Sequence, residues 1–166
     1  MIYSEKEFEI AFLDFQDDNM LKEFWQYFDE YIDELIDLSE PLVLEYFHSD
    51  EYRQAILFLG KRLINPLFVM KLINKGQLIG FCSYCIYHNE NAKAFLLEIG
   101  IDKNLRNKGL GKWFYKQVEF DIKNKGGKFI ELTPYPKDKE LFWQKLGFCN
   151  TGEKDEDGKY IFRLNF

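Results

Sequence analysis

The sequence predicts an α+β domain built on a mixed sheet, and three observations carry that expectation. In the first third, Leu21, Phe24, Trp25, Phe28, Ile32, Leu35 and Ile36 recur at helical spacing with acids between them. In the middle, apolar runs of strand length are separated by turns of a few residues, as in antiparallel hairpins. A glycine-bearing turn then opens an amphipathic helix that leads back into a strand. That crossover requires a parallel pair.

Element by element, Glu7 to Phe15 alternates well enough for a first strand, and Asp17-Asp18-Asn19 offers an N-cap to the acidic helix. Ser39-Glu40-Pro41 starts a second helix, since proline is tolerated in a first turn, and a third runs from Glu51 to about Leu63. Leu67 to Ile73 and Gln77 to Tyr87 are strands joined by Asn74-Lys75-Gly76. Lys93 to Ile101 is the next antiparallel strand. A helix from about Gly109 to Lys123 is closed by Asn124-Lys125-Gly126-Gly127, and Lys128 to Leu132 returns to the sheet. A short helix near Lys139 to Lys145 and strands near Gly147 to Thr151 and Lys159 to Leu164 complete the order, the last two joined by Asp155-Glu156-Asp157-Gly158.

The chain of 166 residues suits one domain, and 46% hydrophobic residues with 18% aromatics argue against disorder. No apolar run approaches the roughly 18 residues of a membrane helix, and the N-terminal residues lack a leader's basic and apolar regions. A cytoplasmic location without membrane contact is expected. The net charge of -6 hides an asymmetry: residues 1–60 hold 16 acids against 3 bases, leaving 12 acids and 19 bases for the remainder. Such a split suits a polyanionic ligand on the C-terminal half and a cationic one near the acidic helix. Cys82 and Cys85 sit three apart on one strand, so their thiols face opposite ways, and no second pair completes a metal site. No metal is expected.

The most informative stretch is Asp102 to Lys112. Gly109 and Gly111 open the way for a ligand to approach main chain, the following helix start presents unpaired N–H groups, and Arg106, Lys108 and Lys112 add charge. A pyrophosphate is the natural occupant. A Walker A loop is excluded by the absent Gly-Lys-Ser/Thr, and a dinucleotide fingerprint by Phe114 where a third glycine is needed.

Leu97-Glu98-Ile99-Gly100-Ile101, then Arg106-x-x-Gly109-x-Gly111 before a helix, resembles the GNAT N-acetyltransferase superfamily. Glu140-Leu141-Phe142-Trp143-Gln144-Lys145-Leu146-Gly147-Phe148 is similar to that family's closing signature. The resemblance covers roughly residues 67–166. It implies a mixed, mostly antiparallel sheet of about seven strands flanked by about four helices and splayed between the fourth and fifth strands. It also implies one acyl-CoA N-acyltransferase domain over residues 1–166, with 1–66 forming a variable acceptor side and 67–166 the CoA-binding core. Acetyl-CoA would be the cosubstrate, its pyrophosphate on the amides of Arg106, Asn107, Lys108, Gly109, Leu110, Gly111 and Lys112. The pantetheine arm would lie along Ile99, Gly100 and Ile101, near Leu132 and Thr133. Gly100 would mark the bulge that opens this slot.

Two positions depart from the family pattern. Trp143 stands where a thiolate-protonating Tyr is usual, and Pro136 where an Asn helps hold the cofactor. For the chemistry, an amine must lose a proton to attack a thioester, and Glu98 is the leading base, with Glu131 second. Alternation places Glu98 on the face of Leu96 and Gly100, opposite Leu97 and Ile99. Tyr135 or Tyr115 would supply the missing phenol. His48 and His88 read as surface turn residues, and Cys85 or Cys149 has no adjacent base. The expected reaction is direct acetyl transfer to a primary amine of a small molecule or peptide. Asp29, Glu30, Asp33, Glu34 and Asp37 favour a cationic acceptor, and the nearby aromatics read mainly as core. A catalytically inactive acyl-CoA-binding or regulatory module is the alternative. The negative net charge argues against nucleic acid, and the residues leave the oligomeric state open.

Overall fold

The computed structural model describes residues 7–36 and 39–166; the first six residues and Asp37 lie outside them. The chain runs β1 (Glu9–Phe12), α1 (Asp18–Leu35), α2 (Pro41–His48), α3 (Asp50–Lys61), β2 (Leu67–Asn74), β3 (Gln77–Tyr87) and β4 (Lys93–Ile101). It continues through α4 (Leu110–Asn124), β5 (Phe129–Leu132), α5 (Glu140–Lys145), β6 (Cys149–Lys154) and β7 (Tyr160–Asn165). The sheet order is β1-β2-β3-β4-β5-β7-β6, antiparallel throughout except for the parallel β4–β5 pair. Among the described residues, seven strands and a single parallel pair match the expected mixed sheet, flanked by five α-helices against the expected four or so.

Local signals explain most boundaries. Asp17 caps α1 by accepting from the amides of Asn19 and Met20, and Ser49 caps α3 by accepting from Tyr52. The first strand is shorter than expected: its register with β2 ends at Phe12, the Leu13 amide still reaches the Val69 carbonyl at 2.9 Å, and the Leu13 and Phe15 side chains join the layer of α1 and α3. The sixth strand starts two residues late, at Cys149, because Gly147 at φ 99 is still closing the turn after α5.

Two apolar layers sandwich the sheet. On one face Leu110, Phe114, Val118 and Ile122 of α4 meet Trp143 of α5 and Cys82, Tyr84 and Ile86 of β3. On the other, Phe24, Phe28 and Ile32 of α1 meet Ile56 of α3 and Phe81 and Cys85 of β3. Cys82 and Cys85 are both buried and belong to opposite layers, as strand alternation requires. His48, expected in a turn, instead ends α2 and bridges to α1, with Asp33 at 2.7 Å and Asp29 at 3.3 Å. His88 does lie in a turn.

Trp143 is a core residue. Its indole lies edge-on to Tyr115 at 5.5 Å and to Phe148 at 5.2 Å. The larger ring thus fills the junction between α4, α5 and β6. Truncation to Ala should cost about 3–5 kcal/mol of stability, measured by denaturant unfolding, because the void it leaves cannot close.

Candidate active site

The parallel β4–β5 pairing is brief. Only Lys93, Ala94 and Phe95 of β4 pair with Phe129, Ile130 and Glu131 of β5, and β5 ends one residue later at Leu132. β4 runs on to Ile101 without a partner on that side, so the strands part from Leu96 onward. Thr133 follows β5 at the opposite wall of this opening. Glu131 is held beside it by Arg163 of β7, whose Nε donates to Oε1 at 2.8 Å and whose guanidinium also covers Phe129. Glu131, the second base candidate, is therefore buried in an ion pair within the sheet.

The bulge lies before Gly100, not at it. Ser83 pairs with Glu98 and Tyr84 with Leu96, which leaves Leu97 as the extra residue in β4. The insertion reverses the strand's facing. Ala94 and Leu96 pack in the α4 layer, and so do Ile99 and Ile101, whereas Leu97 joins the α1 layer. Glu98 also turns toward α1, where its Oε2 accepts a hydrogen bond from Tyr31 Oη at 2.9 Å. Simple alternation had set Glu98 with Leu96; the bulge sets it with Leu97 and Gly100 instead.

Gly100 is required for a different reason. A Cβ built there would stand 2.6 Å from Cε2 of Tyr31, so the missing side chain seats the tyrosine ring. Glu98 is partly buried, and desolvation raises its pKa to about 7; the Tyr31 hydrogen bond and the charge of Lys159 pull the other way. The Tyr31 hydroxyl is pushed well above its usual range by burial and then by the charge of Glu98.

Beyond β4 the chain makes a single 3-10 turn (Lys103–Leu105) and enters α4 through Asn107 at φ 59 and Gly109 at φ 88. Gly109 is the N-cap and offers no side chain to it. The first intrahelical donor is Trp113, bonded to the Gly109 carbonyl at 3.1 Å, so Leu110, Gly111 and Lys112 precede the helix's own ladder. Gly111 needs neither special φ nor space, since a Cβ would meet nothing nearer than 3.8 Å. A glycine in a helix that the fold does not require points to something outside the fold approaching it.

Arg106 is engaged within the protein. Its amide bonds the Lys103 carbonyl at 3.2 Å, its Nε donates to the Ile101 carbonyl at 2.7 Å, and its guanidinium pairs with Glu34 of α1. Lys108 Nζ donates to the Asn104 carbonyl at 3.0 Å. Tyr135 is exposed in the loop after β5 and donates to Glu40 at 3.0 Å, with Lys159 Nζ 4.9 Å above its ring. Tyr115 is fully buried against Trp143 and Phe148, away from solvent.

The sequence matches the family model described as "Acetyltransferase (GNAT) family" over residues 18–148. The chain belongs to this family. It is an acyltransferase, and its fold is shared widely. PaiA N-acetyltransferase from Thermoplasma acidophilum, solved with coenzyme A, superposes with a TM-score of 0.71 at 19% identity, covering 96% of this chain and 99% of that one. Tetrahymena GCN5 gives 0.69 at 14% identity, with 95% of both chains covered. The Escherichia coli ribosomal-protein-S18-alanine N-acetyltransferase gives 0.63 at 15%, covering 95% and 93%. These likenesses establish the fold. No curated protein matches the sequence.

In this acetyltransferase the structure brings Glu98, Ile99, Gly100 and Ile101 to the unpartnered end of β4 and sets the 106–112 turn directly beyond them. What the sequence reading missed is the third contributor, a stripe of α1. Tyr27 donates to Asp102 at 2.7 Å, Tyr31 reaches Glu98, and Glu34 meets Arg106. The spacing of these three, at i, i+4 and i+7, was the available signal. Much of the acidity of α1 is also internally matched, since Asp29 pairs with Arg53 and His48, and Asp33 with His48.

Three outcomes follow for stability. Gly111→Ala should leave the melting temperature unchanged or raise stability by up to about 1 kcal/mol, whereas Gly109→Ala should lower it by about 1–2 kcal/mol for the left-handed backbone. For Glu98, the folded protein binds the proton more tightly than the unfolded chain. Its stabilising contribution is complete below the ordinary value of 4.5 and is lost as pH rises through about 7. Melting curves across that window should show Glu98→Gln gaining on the parent as pH rises, then a constant gap above it.

Proposed function

We propose that this chain transfers the acetyl group of acetyl-CoA directly to a primary amine of a small molecule or peptide, with residues 67–166 holding the cosubstrate and residues 1–66 bordering the acceptor. The observation that carries the reading is the conjunction of an unpartnered strand edge with an uncapped helix start. The opening between β4 and β5 suits the amide-rich pantetheine arm, which can pair with main chain at Ile99 and Ile101 like an added strand. The amides from Asn107 to Lys112 suit the pyrophosphate, with Lys108 and Lys112 as neighbouring cations. Arg106 acts in this reading mainly by shaping the turn, with its amide bonded to Lys103, its Nε to Ile101 and one Nη to Glu34. Thr133 borders the arm from the β5 side.

In the reaction the amine nitrogen bonds the thioester carbonyl carbon, and the carbon–sulfur bond breaks to release the CoA thiolate. Glu98 accepts the proton that the amine sheds, which its position near neutrality suits. The amide of Ile99 or Ile101 can stabilise the developing oxyanion. Tyr135 is the phenol assigned to return a proton to the thiolate; solvent can do the same. The acceptor side carries Glu40, Glu30 and the tyrosines of α1 and α2, which favours an amine, while the internal pairing of Asp29, Asp33 and Glu34 weakens the case for a polycation.

Thiol release from acetyl-CoA over an amine panel tests the proposal. The rate should climb with pH through about 7, and Glu98→Gln should lower kcat/KM by roughly 10²–10⁴-fold. Tyr135→Phe should cost less than about tenfold, because a thiolate can leave into water unaided. Gly111→Ala should weaken CoA binding in calorimetric titration while the fold is kept. Tight CoA binding with no release on any amine would turn the reading to a binding module.

A further inference from the structure

Tyr31 and Tyr27 stand apart from the other aromatic side chains of α1, and only Tyr31 reaches Glu98. Phe24, Trp25 and Phe28 are buried apolar rings, whereas Tyr31 carries a hydroxyl into the layer between α1 and β4. Its ring is fixed on two sides. The edge lies across Gly100, where even a methyl group would collide at 2.6 Å, and the plane stands at 89° to Phe81 with centroids 5.2 Å apart. So confined, the hydroxyl reaches two acceptors on β4, and Glu98 is the nearer. It donates to Glu98 Oε2 at 2.9 Å, and the carbonyl of Ile99 lies at 3.5 Å. The Leu97 bulge is what brings the carboxylate to this side of the strand.

We propose that Tyr31 is a positioning residue for acyl transfer: its hydroxyl aims the Glu98 carboxylate along β4 and stabilises it as the acceptor of the amine proton. This rests on the reading of Glu98 as the base. Four groups act on Glu98 or feel its charge: Tyr31 from α1 by a hydrogen bond, and Tyr52 from α3, Lys159 from the hairpin before β7 and, through the sheet from the opposite layer, Cys82 of β3 by charge alone. Cys82 and Tyr52 are pushed up by burial and then by the charge of Glu98, so both stay neutral. Lys159 acts through its charge, and Tyr31 through a hydrogen bond to the carboxylate. Tyr31 is held above its usual range as well, so it gives no proton away while Glu98 gains and sheds one. During the step the proton passes from amine nitrogen to Glu98. Tyr31 keeps its own and merely weakens its bond as the carboxylate is neutralised.

The test compares pH profiles of kcat/KM for the parent, Tyr31→Phe and Glu98→Gln, with acetyl-CoA and an accepted amine. Tyr31→Phe removes one oxygen and keeps both ring contacts, so it should fold with a melting temperature near that of the parent. Its ascending limb should move up by about one pH unit, equivalent to about a tenfold loss of kcat/KM below the limb, while the plateau above it stays within a few-fold. A limb that does not move overturns the proposal, whatever happens to the plateau or the melting temperature. Failure of the underlying reading looks different: Glu98→Gln would then keep the parent profile. A carbon-13 titration of the Glu98 carboxyl in CoA-free protein supplies the measurement that needs no turnover. An upward shift in Tyr31→Phe supports the hold of the hydroxyl on the carboxylate, and an unchanged midpoint overturns it.

Discussion

Everything at the candidate site depends on the early parting of β4 from β5. A parallel pair normally buries its edge in hydrogen bonds, yet here three residues on each side pair before the strands separate. The separation leaves main-chain groups of β4 available in the middle of the protein instead of at a rim, which is possible only because both strands are held elsewhere. β4 is fixed by a long antiparallel pairing with β3, from Gly80 to Tyr87. β5 is fixed by β7 and by the ion pair between Glu131 and Arg163. Neither strand needs the other beyond Phe95, so the opening can exist without the sheet coming apart.

The remaining architecture aligns chemistry with that opening. The bulge at Leu97 turns Glu98 toward α1, and the chain that leaves β4 is folded back by Arg106 onto the Ile101 carbonyl before α4 begins. α4 starts uncapped, with its first amides directed beyond the strand end. Each device is local, and each is anchored by the layer behind it: α4 by Phe114 and Ile122 on one face, α1 by Phe24, Phe28 and Ile32 on the other.

Much of this could be read from residues alone. The bounds of β3 and β4 follow from their apolar runs and turns, and Gly109 and Gly111 mark the start of α4. Three features could not. Alternation assumes an unbroken pleat, so one inserted residue at Leu97 reverses every facing assignment before it relative to those after it. Gly100 was legible as a special position, but the ring that requires it is supplied by Tyr31, 69 positions earlier in the chain. The acids of α1 looked like an open field of charge, because their partners His48, Arg53 and Arg106 come from α2, α3 and the turn before α4. In each case the deciding contact is long-range, and composition and periodicity are silent about it.

The stripe formed by Tyr27, Tyr31 and Glu34 makes α1, the end of β4 and the turn before α4 a single interlocking part. Families of this architecture invite recombination, in which the first third of one member is joined to the last two thirds of another to exchange acceptor preference. Here such a graft carries a compatibility rule. A donor α1 must bring a phenol over Gly100, a second one turn earlier for Asp102, and an acid one turn later for Arg106. A donor lacking them would leave a hole over the glycine and strip Glu98, Asp102 and Arg106 of their α1 partners.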